Sequence, residues 1–380
     1  MSTTHIPMPD LCYEPDGIEV VASLSDADPA HPAPLLVLDR LTDFLESRCL
    51  GSIRGGSLGW QRVGDGQSNI TYRLHRPGKY LDIVLRRGPR PPHPPSTHDM
   101  LREAGLQQML RAQGFPVPAI LAICGDESVL GVPFYIMEWL DGLVLTDTTP
   151  EPLDTLERRR GISVSLVETL VHLHSIDVTR APLNGVGRPN GYLQRQIDRF
   201  AQLWKVATIR DDSRVEAIAT WLSHNLPPAQ RSTLVHGDYR LGNMMFSPET
   251  PVGPLAVLDW EMATLGDPLA DLGYLLATYS DSTSASTVLH LSPATAGPGY
   301  MDRTEIAETY AHHTGLDLAA LPWYETLALW KAAIFCEAIY TRWLRGERRH
   351  DTFAPTLRQG VPELLDIATS GLGRQVGRKQ

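Results

Sequence analysis

Residues 234–277 read LVHGDYRLGNMMFSPETPVGPLAVLDWEMATLGDPLADLGYLLA. Two short strand-like pieces, TLVHGDY at 233–239 and LAVLDW at 255–260, bracket a stretch of turn-forming residues. His-Gly-Asp occupies 236–238, Asn243 follows Asp238 by five positions, and Asp259 closes the second apolar run. The segment GDPLADL, 266–272, reads as the start of a helix. Asp267 and Asp271 in it are expected to be structural, a buried one bracing the preceding loop.

On the C-terminal side and immediately upstream, amphipathic helical patterns dominate: 155–176, 191–206, 212–225, 302–314 and 322–344. Residues 280–300, rich in Ser, Thr and Gly, read as a mobile surface loop. Before Gly142 the texture differs. A helical pattern at 35–50 precedes alternating runs at 59–76 and 79–88, a Pro-rich loop at 88–99, a second helix at 99–114, and apolar runs at 117–126 and 131–142. The expected fold is α+β and bilobal: an extended arm at 1–34, a small β-rich N-terminal lobe at 35–141, and a larger α-helical C-terminal lobe at 142–380, with the active site in the cleft.

Composition narrows the function classes. The 380 residues are 42% hydrophobic and 21% charged, which suits a globular chain with a buried core. A net charge of −10 argues against a general nucleic-acid or anionic-membrane binder. No apolar run approaches the roughly 18 residues a bilayer span needs, and the N-terminus shows no basic and apolar leader. Cys12, Cys49, Cys124 and Cys336 are widely spaced, as reduced thiols of a cytoplasmic protein would be. A monomer or homodimer is expected.

Phosphoryl transfer from ATP demands a carboxylate to orient or accept the proton of an acceptor hydroxyl, and oxygen ligands for Mg²⁺. Asp238 and Asn243 stand at the spacing of a kinase catalytic loop, and Asp259, reached through a hairpin, is placed to supply a second carboxylate. Asp and Asn are also common turn residues. The run GDGQSN at 64–69 is a turn that can offer backbone amides to phosphate, although such a run is also an ordinary hairpin.

The stretch resembles the aminoglycoside phosphotransferase (choline-kinase-like) family of protein-kinase-like enzymes. More closely, it is similar to the phosphotransferase domain associated with acyl-CoA dehydrogenase family members 10 and 11. GDGQSNITY, IVLRR, REAGLQQML, GVPFYIMEWLDG, GRPNGYLQRQ, VHGDYRLGN and LDWEMATLGDPLADLGY carry the likeness in order over roughly residues 35–345. The resemblance implies an ATP- and Mg²⁺-dependent kinase acting on a small-molecule hydroxyl. Asp238 would face the acceptor hydroxyl, and Asn243 and Asp259 would hold the metal. Glu261 would be a second metal-site acid or a surface residue, and His236 would orient the loop. Gly66, Gln67, Ser68 and Asn69 would cover the phosphates. Arg86 stands where kinases place a phosphate-anchoring lysine, with Glu103 as its ion-pair partner and Arg87 as the alternative anchor. Met137, Glu138 and Trp139 would flank adenine.

The resemblance leaves three acceptors or roles in competition. One is a hydroxyacyl or other apolar hydroxy compound, served by Trp323, Trp330, Phe335 and Tyr340 if these line the site rather than the core. A second is an aminoglycoside, for which 27 acidic against 22 basic residues over 142–380 provide no distinctive acidity. The third is a nonenzymatic nucleotide-binding protein, which retention of the base and both metal ligands disfavours. A protein kinase is disfavoured by the eleven residues between Asp259 and Asp271, too few for an activation loop, and by Gly237 in place of the arginine that reads a phosphorylated loop.

Overall fold

The computed structural model describes residues 12–14, 17–50, 58–64, 69–76, 81–91, 98–249, 252–282, 287–290, 293–347 and 351–372. The chain divides into two compact units, Met1–Leu140 and Asp141–Gln380.

In the first unit, β1 (Cys12–Glu14), β2 (Gly17–Val21) and β3 (Leu36–Val37) form a small sheet in that order. A second, five-stranded antiparallel sheet comprises β4 (Gly59–Arg62), β5 (Ile70–His75), β6 (Asp82–Arg87), β7 (Ile120–Cys124) and β8 (Phe134–Glu138), in the order β4-β5-β6-β8-β7. Its helices are α1 (Leu38–Ser47), α2 (Met100–Ala112) and the single turn α3 (Glu127–Leu130). Strand alternation sends one set of side chains to each face. Ile70, Tyr72, Leu74, Leu85, Phe134 and Ile136 pack with Val20, Val21, Leu41 and Leu45 on one face. Tyr135 meets Met100 and Ala104 of α2 on the other. Residues 17–34 are therefore not the extended arm expected from their Pro- and Asp-rich composition. Val20 and Val21 are buried, β2 pairs with β3, and the apolar pair overrides the weak periodicity around it.

The second unit carries seven helices among the described residues: α4 (Leu156–Ser175), α5 (Tyr192–Ala207), α6 (Ser213–His224), α7 (Leu269–Thr278), α8 (Arg303–Thr314), α9 (Leu321–Leu344) and α10 (Leu357–Leu372). Its short strands are β9 (Leu143–Val144), β10 (Thr233–Val235), β11 (Met244–Phe246), β12 (Pro254–Val257) and β13 (Thr264–Gly266), arranged as a β12-β11-β9 sheet and a β10-β13 pair. Trp323 and Trp330 of α9 are core residues, their indole N–H groups donating to the carbonyls of Leu222 and Val215 in and around α6 at 3.2 and 3.0 Å. Of the four aromatics considered for an acceptor, those two are unavailable to it. Phe335 is exposed, and Tyr340 stacks on Trp343. The stretch expected as a mobile loop is packed in its described part. Thr295 donates to the Ser280 carbonyl at 2.7 Å, and the Tyr300 hydroxyl lies 2.7 Å from that of Thr149.

No described helix is long and apolar enough to cross a membrane. Cys49, Cys124 and Cys336 are free thiols.

Candidate active site

The loop after β10 is built on Asp271, in the first turn of α7. Its carboxylate accepts the main-chain N–H groups of His236 (2.6 Å) and Gly237 (2.8 Å). Behind it, His174 of α4 lies 3.3 Å away through Nε2, while His174 Nδ1 sits 2.7 Å from the Tyr310 hydroxyl. Burial alone would push the Asp271 carboxyl up. The hydrogen bond and charge of His174 and the Gly237 amide outweigh it and hold the group below the ordinary carboxylate value. His236 has a positioning geometry. Its Nδ1 accepts the Asp238 N–H at 3.3 Å and its Nε2 donates to the Leu258 carbonyl at 2.9 Å, tying the loop to the end of β12.

Gly237 has φ +85°, and a Cβ there would stand 2.9 Å from the carbonyl oxygen of Met262. Both facts require glycine where protein kinases carry arginine.

Asp238 itself is half-buried. Asn243 donates its side-chain amide to Asp238 Oδ2 at 2.7 Å and to the Asp238 carbonyl at 2.9 Å. Arg240 Nε stands 3.5 Å from Oδ1. Tyr274 of α7 hydrogen-bonds to the same carboxylate; burial first, and then the Asp238 charge, push its phenol well above its ordinary value, so it stays a donor. With its NH₂ spent on Asp238, Asn243 keeps its side-chain oxygen for another partner. The β11–β12 hairpin ties the residue before Asp259 to the main chain of Asn243, the Leu258 N–H donating to the Asn243 carbonyl at 2.8 Å. Asp259 adopts φ +67°, a left-handed conformation that Asp tolerates better than most residues. An amide oxygen and a carboxylate are hard donors, a set that fits Mg²⁺. Glu261 is half-buried in the turn leading to β13.

In the first unit, β6 separates its two arginines to opposite faces. Arg86 is paired with Tyr135 across the sheet and points to α2, where its Nε lies 3.2 Å from Glu103 Oε1. The Tyr135 hydroxyl donates to the same Glu103 oxygen at 3.1 Å and accepts from Gln107 at 3.1 Å. Arg87 is 1% exposed and donates to the carbonyls of Leu35, Gly88 and Leu130. Burial pushes its guanidinium down to about 10. It is a structural tie, which removes it as the alternative anchor.

Asn69 is buried, its Oδ1 2.8 Å from His98 Nδ1. Gly66, Gln67 and Ser68 lie outside the described residues. Met137 packs beside Tyr135 and Met100. Glu138 uses its carboxylate on the Ala119 N–H (2.6 Å) and Arg111 (3.1 Å), and its own N–H donates to the Ala119 carbonyl at 2.9 Å. Trp139 lies under the Arg73 guanidinium, 4.0 Å from the ring centroid.

Sequence reasoning missed Tyr135, Gln107, His174, Arg240 and Tyr274. Gln107, one turn after Glu103 on α2, was the detectable one. The others depend on long-range packing.

The model of the phosphotransferase enzyme family (APH) matches residues 59–323. Among curated relatives, mouse acyl-CoA dehydrogenase family member 10 is 31% identical over 365 residues, covering 93% of this chain and 33% of that protein. Chicken acyl-CoA dehydrogenase family member 11 is 34% identical over 299 residues, 77% of this chain and 38% of that protein. The chain thus spans about a third of the length of these relatives. A solved structure of an aminoglycoside-phosphotransferase-type protein from Ralstonia eutropha superposes with a TM-score of 0.70 at 28% identity, covering 88% of this chain and 97% of that one. An aminoglycoside phosphotransferase, APH(4)-Ia, in ternary complex with AMP-PNP and hygromycin B, shares the fold at a TM-score of 0.54 and 14% identity, covering 88% of this chain and 99% of that one. The β-rich first unit and helical second unit are those of a protein-kinase-like α+β fold, and the chain belongs to the phosphotransferase enzyme family.

Proposed function

We propose that this protein is an ATP-dependent small-molecule kinase that phosphorylates a hydroxyl group, with Asp238 as the catalytic residue. One observation carries the reading: Asn243 fixes the Asp238 carboxylate through its side-chain amide nitrogen, while its main-chain carbonyl takes the N–H of Leu258, the residue before Asp259 in the hairpin. A base and two hard ligands are thereby supported by one short segment. Asp238 takes the proton of the acceptor hydroxyl; Asn243, Arg240 and Tyr274 hold it in place. Asn243 and Asp259 would hold Mg²⁺, which when bound neutralises phosphate charge. Arg86, oriented by Glu103 and Tyr135, would hold nucleotide phosphate through its planar fork. The residues at 66–69 would cover the phosphates, and Met137, Glu138 and Trp139 would flank adenine.

The likeness to the acyl-CoA dehydrogenase family members supports a hydroxyacyl or other apolar hydroxy acceptor. The AMP-PNP and hygromycin B bound by APH(4)-Ia support ATP as donor and keep an aminoglycoside as the rival acceptor. A coupled ADP-release screen with hydroxyacyl compounds, simple alcohols and hygromycin B tests the proposal. Mg²⁺-dependent ADP release raised by a hydroxyacyl compound supports it; stimulation by hygromycin B alone selects the rival, and no release with any acceptor overturns the enzymatic reading.

A further inference from the structure

Helix α9 brings one unused cation close to Asp238. Early in the helix, the Tyr324 hydroxyl donates to Asp267 at 2.8 Å, and its backbone lies 2.8 Å from where a Cβ on Gly273 would stand, so α9 presses directly on α7. Lys331, two turns on, lies on the same face of the helix. Its Nζ sits 4.9 Å above the Phe200 ring of α5. One further turn brings Phe335, 56% exposed.

Lys331 is half-buried within the field of Asp271 and Asp238, with Arg199 of α5 opposing them. The nearby acids are nonetheless committed elsewhere: Asp271 holds the His236 and Gly237 N–H groups and His174, and the others face arginines. Glu325 pairs with Arg303 at 2.6 Å, Glu337 with Arg210 at 2.8 Å, and Asp238 faces Arg240 at 3.5 Å. Among the described residues, no carboxylate stands within ion-pair distance of Lys331. Burial depresses its ammonium to about 8, a cost that a bound anion would offset. Lys331 of α9 and Arg240 of the loop thus both lie within the field of Asp238, and Arg240 is already paired with it. A half-buried ammonium with no carboxylate at ion-pair distance favours an acceptor carrying negative charge over a polycationic one.

We infer that the phosphate acceptor is a hydroxy compound with an anionic oxyacid group, and that Lys331 recognises this group beside an apolar contact on Phe335. The inference rests on Asp238 as the catalytic residue, and it extends that reading to the substrate class.

Simple amphiphiles lacking a hydroxyl test the subsite without knowledge of the natural acceptor. Calorimetry on the full chain with Mg·AMP-PNP would compare octanoate, octyl phosphate, octanol and hygromycin B. Octanoate or octyl phosphate should bind at least about tenfold more tightly than octanol or hygromycin B. The tighter of the two names the anion as carboxylate or phosphate. Lys331→Met should remove that preference, Lys331→Arg should restore most of it, and the exposed Arg199→Gln should weaken it a few-fold. In wild type the preference should fall above about pH 8 as Lys331 loses its proton, and in Lys331→Arg it should not. Equal binding of octanol and octanoate, no binding of any anion, or a preference untouched by Lys331→Met overturns the inference. Absence of ADP release from Mg·ATP with every acceptor, beside Lys331-dependent octanoate binding, overturns the kinase reading and leaves the anion subsite standing.

Discussion

Asp271 accepts the main-chain N–H of Gly237 at 2.8 Å, so the loop that carries Asp238 hangs from the first turn of a helix thirty-four residues further on. The same carboxylate takes the His236 N–H at 2.6 Å and is backed by His174. The loop that carries Asp238 and the core of the second unit are therefore one hydrogen-bonded assembly.

Asp271→Ala should leave two buried amides and His174 without their acceptor, lowering stability by about 2–5 kcal/mol. The folded carboxyl lies below its unfolded value, so its contribution is complete above about pH 5 and fades as pH falls below about 4. Melting curves of wild type and variant across pH should converge on the acid side. Convergence on the alkaline side instead would contradict this account.

Gly237→Ala should impair both folding and activity. The left-handed backbone costs an alanine roughly 1–2 kcal/mol, and its Cβ meets the Met262 carbonyl at 2.9 Å. A variant with wild-type melting temperature and turnover would show that the loop yields there.

The neighbouring arginines of β6 should respond differently. Arg86→Lys keeps a cation for Glu103 but loses the planar fork, and should raise the ATP concentration needed for half-maximal ADP release with little change in melting temperature. Arg87→Lys gives up part of its hold on three carbonyls and should lower the melting temperature by the equivalent of about 1–3 kcal/mol while leaving ATP dependence unchanged. Kinetics and melting curves on both variants check the assignment; an exchange of the two phenotypes would move the anchor to Arg87.

The division of labour between these two arginines shows what the sequence carried and what it did not. Strand alternation alone put Arg86 and Arg87 on opposite faces, and the resemblance to the kinase pattern made Glu103 the candidate partner. Neither could reveal that Arg87 would be buried among carbonyls from Leu35, Gly88 and Leu130, because those segments are joined only by the fold. The same limit explains the aromatic run of α9. Trp323 and Trp330 gave no local sign that α6 would cover them, whereas the role of Asp271 was foreshadowed by its place in a helix start. Val20 and Val21 were masked by the prolines and acids around them.

Asp259→Ala should abolish Mg²⁺-dependent nucleotide binding, since no neutral side chain replaces a hard carboxylate. Calorimetry with AMP-PNP in the presence and absence of Mg²⁺ reads this directly. Unchanged Mg²⁺ dependence would shift the metal site toward Glu261.

The most direct test concerns Asp238, which Asn243 holds at 2.7 Å. Single-turnover phosphoryl transfer to the best acceptor from the screen should be measured for Asp238→Asn, with Mg·AMP-PNP affinity determined in parallel. A loss of about 10²–10⁴-fold in transfer is predicted, with nucleotide affinity within a few-fold of wild type. Retention of more than about a tenth of the wild-type rate would contradict the assignment of Asp238 as the group that takes the acceptor's proton.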